Sequence, residues 1–244
     1  MHLPRRIETE WLDELPADDA RAVRSRRDLR RVNALMLNSH MVARELRRIF
    51  HAGPPRSIAE IGAGDGSFMQ QVAAKLGHGW RTIDVVLVDQ QRLLTRATGD
   101  RFAALGWRAH AVEADVFAWL AQPADREFDV VVANLFLHHF DNERLIQLLS
   151  LVAQRTRVLI ACEPRRSGGA LLGSHLLGVI GCNDVTRHDA VASVHAGFNG
   201  HELSNLWPHD GKWRRQERAY GLFSHCFVAE RMDSGERVVP ESRL

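Results

Sequence analysis

Beyond residue 55, short apolar runs alternate with segments in which apolar residues recur every three or four positions. An apolar run is typical of a parallel β-strand that is covered on both faces, and the three-to-four spacing is typical of a helix that buries one face. This alternation predicts right-handed crossovers and an α/β fold with a doubly wound sheet. The predicted strands cover residues 57–62, 82–89, 108–115, 128–134 and 157–163, and the predicted helices cover residues 68–76, 92–105, 117–121 and 142–154.

The end of the chain departs from this alternation. Residues 164–211 have a helical pattern interrupted by glycine and proline, and two further strands are predicted at 212–220 and 222–231. Because Gly221 alone separates those two strands, no crossover helix fits between them, and they should pair as an antiparallel hairpin.

The first 50 residues are rich in arginine and helical in period, and they contain no strand-like apolar run. One predicted helix includes Leu29, Val32 and Met36 at a three- to four-residue spacing, and a second covers residues 40–50. The arginines around the first helix favour a solvated face over a stripe that binds RNA. The segment HAGPP, residues 51–55, ends the second helix and acts as a short linker.

The overall charge and the cysteines exclude several classes of protein. The 244 residues include 32 Lys+Arg and 30 Asp+Glu, so a net charge of +2 gives no electrostatic case for a nucleic-acid or membrane partner. The three cysteines are widely spaced, which predicts neither a disulfide framework nor a metal site. The charged residues 1–15 do not form a secretory signal, and the longest apolar segment, residues 170–181, is too short to span a bilayer. We therefore expect a cytoplasmic protein.

A glycine-rich segment follows the first predicted strand and contains Glu60, Gly62, Gly64 and Gly66. Glycines at alternate positions allow a tight turn from strand to helix and allow a ligand to approach bare backbone. The third glycine comes one residue too early for the dinucleotide-binding loop, and Asp65 would face an incoming phosphate. The segment therefore favours a cationic or zwitterionic nucleoside.

Polar residues also follow the next three predicted strands. The carboxyl ends of parallel strands form the edge where open α/β sheets bind ligands. A carboxylate at the tip of the second strand can accept hydrogen bonds from two ribose hydroxyls, and a carboxylate with an apolar neighbour at the third tip suits an exocyclic amine and its base. The residues at these tips are Asp89 and Gln90, Asp115 and Val116, and Asn134 and Leu135.

Taken together, these motifs resemble the class I methyltransferases that use S-adenosylmethionine. The resemblance rests on EIGAGDG at residues 60–66, on Asp89 and Asp115, and on FDVVVANLFLHHF at residues 128–140, and it covers roughly residues 56–231. It implies a seven-stranded, mostly parallel sheet that ends in the antiparallel hairpin. It also implies that the glycine segment lies beside the methionine moiety, that Asp89 holds the ribose, and that Asp115 with Val116 recognises adenine.

The changes of pattern along the chain also predict its organisation. Residues 1–53 would form an N-terminal helical extension or lid that packs over the cofactor cleft, and residues 54–244 would form the methyltransferase domain. Within that domain, residues 164–211 would form a helical insertion that covers the substrate. Its apolar segment, residues 170–181, is interpreted as core, as pocket lining or as the interface of a homodimer. Its histidines, such as His188, are more typical of solvated or packed side chains than of acceptor contacts.

A pair of histidines directly follows the fourth strand, beside the expected position of the methyl group. Imidazole has a pKa suited to proton transfer at neutral pH, so His138 or His139 is the predicted general base or substrate-orienting residue, unless the pair only caps a turn. Glu163, at the end of the fifth strand, is predicted to orient a histidine or bind substrate; alternatively, it pairs with Arg165 and Arg166.

The identity of the acceptor is predicted only as a class. Asn134 is followed by Leu135 and Phe136. The chain therefore lacks the Pro-Pro-aromatic signature of methyltransferases that act on nucleic-acid bases, which favours a small-molecule acceptor. The segment LFLHHF and residues 193–231 loosely resemble bacterial enzymes associated with type III polyketide synthases. We therefore predict methylation of a phenolic or enolic hydroxyl, or of an enolic carbon, on a small aromatic or polyketide-like acceptor. The alternatives are a nicotinamide-dependent oxidoreductase and an inactive, cofactor-binding partner subunit.

Overall fold

The computed structural model describes residues 3–16, 18–123 and 127–232. Its sheet has seven strands in the order β3-β2-β1-β4-β5-β7-β6, in which β1 to β5 are parallel and β7 runs antiparallel to both β5 and β6. The predicted α/β fold with its closing hairpin is therefore confirmed. The strands are β1 (Ser57–Ile61), β2 (Ile83–Asp89), β3 (Trp107–Glu113), β4 (Phe128–Asn134), β5 (Thr156–Pro164), β6 (Trp213–Tyr220) and β7 (Ser224–Arg231).

Helices cover both faces of this sheet and precede it in the chain. They are α1 (Trp11–Glu14), α2 (Ala20–Met36), α3 (Asn38–Ile49), α4 (Ser67–Leu76), α5 (Arg96–Ala104), α6 (Val116–Ala121), α7 (Asn142–Arg155), α8 (Gly168–His175), α9 (Asp184–Ala196) and α10 (Glu202–Leu206). None of the helices in the described ranges combines the length and the apolar character that crossing a bilayer requires.

The central strand β4 shows why the strands are apolar on both faces. Val130 and Val132 lie in one hydrophobic cluster, whereas Val131 and Ala133 lie in the other, and all four side chains are fully buried. Successive side chains of a strand point to opposite faces, so a strand covered on both sides must be apolar at every position.

One loop and the start of one helix differ from the sequence-based prediction. Residues 221–223 join β6 to β7, where a single residue was predicted. The difference is expected, because even the tightest common hairpin needs a loop of two residues. The helix predicted to begin at residue 92 begins at Arg96, because the Thr95 side chain accepts a hydrogen bond from the Thr98 N–H and caps it there.

The N-terminal helices pack in different ways. Helix α3 buries its predicted apolar face in the core that also contains α4. Helix α2 does not bury the predicted stripe fully; its buried residues include Ser25 and Asp28. Both bond to the start of α9, since Thr186 donates to the Ser25 hydroxyl and the Asn183 N–H donates to Asp28. The α2–α9 contact is therefore largely polar. The domain division at residue 53 stays a prediction.

The apolar segment of the insertion is mostly exposed. Leu172, Leu176, Val179 and Ile180 are each about half exposed or more, and Val179 reaches 83%. The core interpretation is wrong for these four residues, because α8 and the turn after it lie at the edge of the fold and present this side to solvent. The interpretation as a dimer interface stays a prediction.

Candidate active site

A cleft of about 460 Å³ opens at the carboxyl ends of β1, β2 and β4. Helix α2, the segment around α1 and helix α9 also contribute to its walls. Of the thirteen residues predicted for the site, Gly66, Asp115 and Glu163 do not line the cleft. The ten that line it are Glu60, Gly62, Gly64, Asp89, Gln90, Val116, Asn134, Leu135, His138 and His139.

The glycine segment turns tightly from β1 into α4. Gly62 has φ +68°, and a Cβ atom on it would lie 2.2 Å from Cδ2 of Phe136. Gly64 has φ +55°, and no atom lies within 4 Å of the position that its Cβ would take. Gly62 is therefore required by a neighbouring side chain, whereas Gly64 presents bare backbone to open space. Gly66 lies behind the cleft, where its missing side chain leaves room for Leu87.

Glu60, at the end of β1, is a buried carboxyl group with 1% exposure. Its burial, together with the negative charges of Asp65 and Asp89, raises its pKa well above the usual value. Its Oε2 atom has no hydrogen-bond partner within the described part of the chain. Because buried polar groups are normally satisfied, this orphaned oxygen fits a cleft that receives a polar, cationic ligand.

Asp89, at the tip of β2, is fixed by two backbone amides. Its Oδ2 accepts the Gly64 N–H at 2.8 Å, and its Oδ1 accepts the Gln91 N–H at 2.9 Å. Each carboxylate oxygen has a further acceptor site. The carboxylate can therefore still accept the two ribose hydroxyls that its predicted role requires.

Asp115 lies outside the cleft. It is exposed and caps α6, since its Oδ1 accepts the Ala118 N–H at 2.9 Å, while Gln90 donates to its Oδ2 at 3.4 Å. Its neighbours Ala114 and Val116 do line the cleft. Apolar residues therefore line the cleft at the tip of β3, and the recognition of adenine by Asp115 and Val116 stays a prediction.

Asn134, at the tip of β4, belongs to a chain of side-chain hydrogen bonds. Its Nδ2 donates to Oδ1 of Asn33 in α2 at 3.1 Å, and its Oδ1 accepts from Nδ2 of Asn38 in α3 at 2.9 Å. The Ser224 hydroxyl in turn donates to Oδ1 of Asn38 at 2.6 Å. The N-terminal helices are thus joined to the strand tip inside the cleft, and Arg30 adds an ion pair with Asp65 at 2.9 Å.

Beyond Asn134 the chain makes a constrained turn. Leu135 adopts φ +52°, a left-handed conformation that is uncommon for a residue with a side chain, and its N–H donates to the Cys162 carbonyl at 2.8 Å. The buried Glu163 carboxylate then accepts the N–H groups of Phe136, Leu137 and His138 at 3.1, 2.9 and 3.3 Å. Glu163 therefore orients the histidine turn, which is one of its predicted roles. The alternative pairing of Glu163 with Arg166 is not found, because the Arg166 guanidinium pairs with Glu202.

His138 is held between two carboxylates. Its Nδ1 lies 2.7 Å from Oε2 of Glu163, and its Nε2 lies 3.3 Å from Oε1 of Glu10. Burial disfavours the charged imidazole, but hydrogen bonds and charge attraction from Glu10 and Glu163 outweigh it and raise the pKa of His138 to about 9. Burial also opposes ionisation of Glu10, yet its hydrogen bond to His138 lowers the Glu10 pKa to about 2. His138 is therefore an imidazolium at neutral pH.

His139 differs from its neighbour. Its side chain is 26% exposed, and its Nδ1 lies 3.5 Å from Oδ2 of Asp13. Burial and the adjacent positive charge of His138 lower the pKa of His139 below the usual value. The two rings are 4.3 Å apart. Two adjacent histidines thus have opposite protonation states at neutral pH.

Three polar residues of this end of the cleft were missed by the sequence analysis: Glu10, Asp13 and Ser193. Ser193, in α9, donates its hydroxyl to Glu10. The donor atoms of Glu10, His138 and His139 lie within 4.8 Å of one another, which is close enough to hold a metal ion. Glu10 and His138 already form an ion pair with each other, and His138 forms a second one with Glu163. The predicted lack of a metal site stays a prediction.

Comparison with known proteins agrees with this geometry. Residues 58–158 match the family described as Methyltransferase domain. A comparison with curated proteins found no match. The plantazolicin methyltransferase BpumL, solved with a monoazolic desmethylPZN analog and SAH, shares 14% identity and a TM-score of 0.64 over 91% of this chain and 92% of its own.

Two further solved structures have the same fold. An O-methyltransferase family protein from Burkholderia thailandensis shares 19% identity and a TM-score of 0.58, over 90% of this chain and 62% of its own. The magnesium protoporphyrin IX methyltransferase ChlM from Synechocystis PCC 6803, with bound SAH, shares 15% identity and a TM-score of 0.52, over 80% and 83%. At identities of 14–19%, the similarity to these structures concerns the fold alone. The match to the family described as Methyltransferase domain indicates the activity. The chain thus carries a methyltransferase domain on a Rossmann-like fold, and it uses S-adenosylmethionine as the methyl donor.

Proposed function

We propose that the protein methylates a phenolic or enolic hydroxyl of a small aromatic or polyketide-like acceptor, with His139 as the general base. The observation that carries this proposal is the pair of adjacent histidines with oppositely shifted pKa values at one end of the cleft. Neighbouring groups whose environments separate their pKa values are typical of acid–base roles. An enolic carbon remains the second candidate for the methylated atom.

The cofactor end of the cleft fits a zwitterionic nucleoside. Glu60 offers an unpaired carboxyl oxygen to an ammonium group, Gly64 offers bare backbone, and Asp89 offers free acceptor sites to ribose hydroxyls. Val116 adds apolar surface for a base. When bound, S-adenosylmethionine supplies an electrophilic methyl group.

The acceptor end supplies proton transfer and charge. His139 is neutral at neutral pH and partly exposed, so it can take the proton of an acceptor hydroxyl. His138 remains positive beside it, with its two ring nitrogens bonded to Glu163 and Glu10, and its charge favours the neutral form of His139. Glu163 holds both the ring and the backbone of this turn in place.

The surroundings support a small, planar acceptor. Phe136 and Phe140 line the cleft, and their rings meet edge to face with centroids 5.2 Å apart. Aromatic faces of this kind suit an aromatic ligand. Among the similar structures, BpumL was solved with a monoazolic desmethylPZN analog, and ChlM is a magnesium protoporphyrin IX methyltransferase.

The first experiment measures methyl transfer from labelled S-adenosylmethionine to a panel of phenols. We expect His139→Ala to lower kcat by about 10²–10⁴-fold, the usual contribution of a general base, with unchanged affinity for S-adenosylhomocysteine. His110→Ala is the matched control, because His110 is exposed on the edge strand β3. Full activity of His139→Ala on every accepted phenol would contradict the assignment.

The pH profile of kcat/KM tests the two protonation states. His139 must be neutral, and its lowered pKa places the acidic limb below pH 6.5. His138 must be charged, so activity should fall as the pH rises through about 9. A profile that rises steadily to pH 10 would remove the role of His138. Binding of S-adenosylhomocysteine without turnover of any acceptor would favour the inactive-partner alternative.

A further inference from the structure

The first described residues form a segment, here called the N-terminal strap (residues 3–15), that crosses the acceptor end of the cleft. Polar contacts attach it. The Arg5 guanidinium donates to the carbonyls of Ala196 and Phe140, each at 2.8 Å, and packs over the Phe198 ring at 4.6 Å. Arg166 donates to the Leu3 carbonyl at 2.7 Å. Helix α1, within the strap, contains no buried residue.

Glu10 is the strap residue that reaches deepest into the site. Its side chain is only 13% exposed and contacts the Nε2 atom of His138. The Ser193 hydroxyl bonds to the same Glu10 oxygen. Burying a carboxylate is costly unless it is paired, and both partners of Glu10 belong to the acceptor end of the cleft.

We propose that Glu10 is a positioning residue of the active site: delivered by the N-terminal strap, it completes a Glu163–His138–Glu10 ion triad that keeps the His138 ring charged and fixed for methyl transfer. The proposal rests on the proposed function, because it gives Glu10 a role in a reaction that takes place at His138 and His139. It makes Glu10 part of the active site, although this residue precedes the methyltransferase domain.

The geometry separates Glu10 from the other strap residues. Glu8 is half exposed and pairs with Arg6 at 3.7 Å on the surface. Asp13 approaches His139 rather than His138. The charged and titratable groups around the His138 ring are Glu10, Asp13 and Arg5 from the strap, Glu163 from β5 and His139 from its own turn. Of these, Glu163 and Glu10 bond to the ring nitrogens.

The test compares Glu10→Gln with Glu8→Gln. The Glu10→Gln change keeps the shape of the side chain and removes its charge, so His138 should lose its proton more easily. We expect kcat to fall about tenfold and the alkaline limb of the pH profile to move down by about one pH unit, which is a tenfold change in the ionisation constant. Glu8→Gln should leave both unchanged, and neither variant should alter the affinity for S-adenosylhomocysteine.

A second measurement does not depend on an acceptor. Nitrogen NMR of the S-adenosylhomocysteine complex should show a protonated His138 ring up to about pH 9 in the parent protein, and loss of that proton at lower pH in Glu10→Gln. If Glu10→Gln fails to fold, Glu10→Asp keeps the charge but shortens the side chain by one methylene, which lengthens its contact with His138 and should move the His138 titration in the same direction by a smaller amount.

The outcomes distinguish this proposal from the proposed function. An unshifted His138 titration in Glu10→Gln overturns the role of Glu10, whatever the activity. A parent protein that shows the triad by NMR but methylates no hydroxyl overturns the proposed function and leaves the triad standing. A drop in stability with an unchanged pH profile would show that Glu10 only holds the strap, and that result also overturns the proposal.

Discussion

The two ends of the cleft are built by different means. At the cofactor end, backbone amides and missing side chains form the site: Gly64 presents bare backbone and its N–H fixes Asp89. At the acceptor end, ion pairs between side chains form the site: Glu10 and Glu163 hold His138 from opposite sides. One end depends on the shape of a single turn, and the other depends on the meeting of three distant segments.

This difference indicates how each end can change. Backbone groups are available in any sequence that makes the turn, so the glycine turn should tolerate variation outside its glycines, whereas Glu60 and Asp89 contribute side chains. The triad at the acceptor end fails when any one of its members is replaced, because a buried charge is then left without its partner. The binding of the cofactor and the choice of chemistry therefore depend on separate sets of residues in this protein.

The largest effect is expected where the two ends touch. In Gly62→Ala, the new Cβ would lie 2.2 Å from the Phe136 ring and the residue would keep φ +68°. The left-handed backbone costs about 1–2 kcal/mol and the overpacking about 1–3 kcal/mol, so the free energy of unfolding should fall by several kcal/mol. Denaturant unfolding measures this loss, and turnover should fall with it because Phe136 precedes the histidine turn.

The matched control for that variant is Gly64→Ala. Gly64 has a similar φ of +55°, but its Cβ would meet no atom within 4 Å. We therefore expect the free energy of unfolding of Gly64→Ala to fall only by the cost of the left-handed backbone, about 1–2 kcal/mol. Equal losses in the two variants would mean that the Phe136 contact does not decide the requirement for glycine.

An intermediate effect is expected at the acceptor end alone. The buried Asp189 carboxylate accepts the N–H groups of Trp11 and Leu12 at 2.8 and 3.0 Å, and thereby holds the strap against α9. Asp189→Asn should replace two charge-assisted bonds with one neutral bond, at about 1.5–3 kcal/mol for each lost bond. We expect KM for the acceptor to rise about tenfold, which corresponds to about 1.4 kcal/mol, with S-adenosylhomocysteine affinity unchanged.

For Asp189→Asn, calorimetry measures the affinity for S-adenosylhomocysteine, and steady-state kinetics measures KM for the acceptor. If the variant loses affinity for S-adenosylhomocysteine as well, the two ends are energetically coupled through the strap. The independence of the two ends would then be wrong.

The smallest effect is expected for the ion pair that joins α2 to the glycine segment. Arg30 and Asp65 are 44% and 30% exposed, and exposed pairs contribute about 0–1 kcal/mol. Arg30→Ala should therefore change S-adenosylhomocysteine affinity by less than about threefold, an effect that added salt should reduce further. Calorimetry at two salt concentrations checks this, and a tenfold loss would indicate that Arg30 contacts the cofactor directly.

The difference between the two ends of the cleft also determines which features the sequence predicts. The strands and the glycine segment are local features, so the bounds of β4 and the positions of Glu60 and Asp89 at their strand tips follow from apolar runs and spacing. Asp115 shows the limit of this reasoning. A carboxylate just beyond a strand tip can equally begin the next helix, and here it caps α6.

The acceptor end depends on contacts that no local pattern encodes. Glu10 lies 128 residues before His138 and 183 before Ser193, among other charged residues of an exposed segment. The sequence also does not show which of the two histidines is the base, because they are adjacent residues of the same type. Their difference comes from Glu10 and Glu163, which are brought to His138 only by the folded chain.

The row of hydrogen bonds from Ser224 through Asn38 and Asn134 to Asn33 joins the start of the final strand to the mouth of the cleft. During synthesis on the ribosome, Ser224 emerges after every other residue of this row. The tip of β4 is thus fully braced only once the hairpin has closed. We therefore expect a chain that ends before β7 to leave this row incomplete and to bind S-adenosylmethionine more weakly than the full chain.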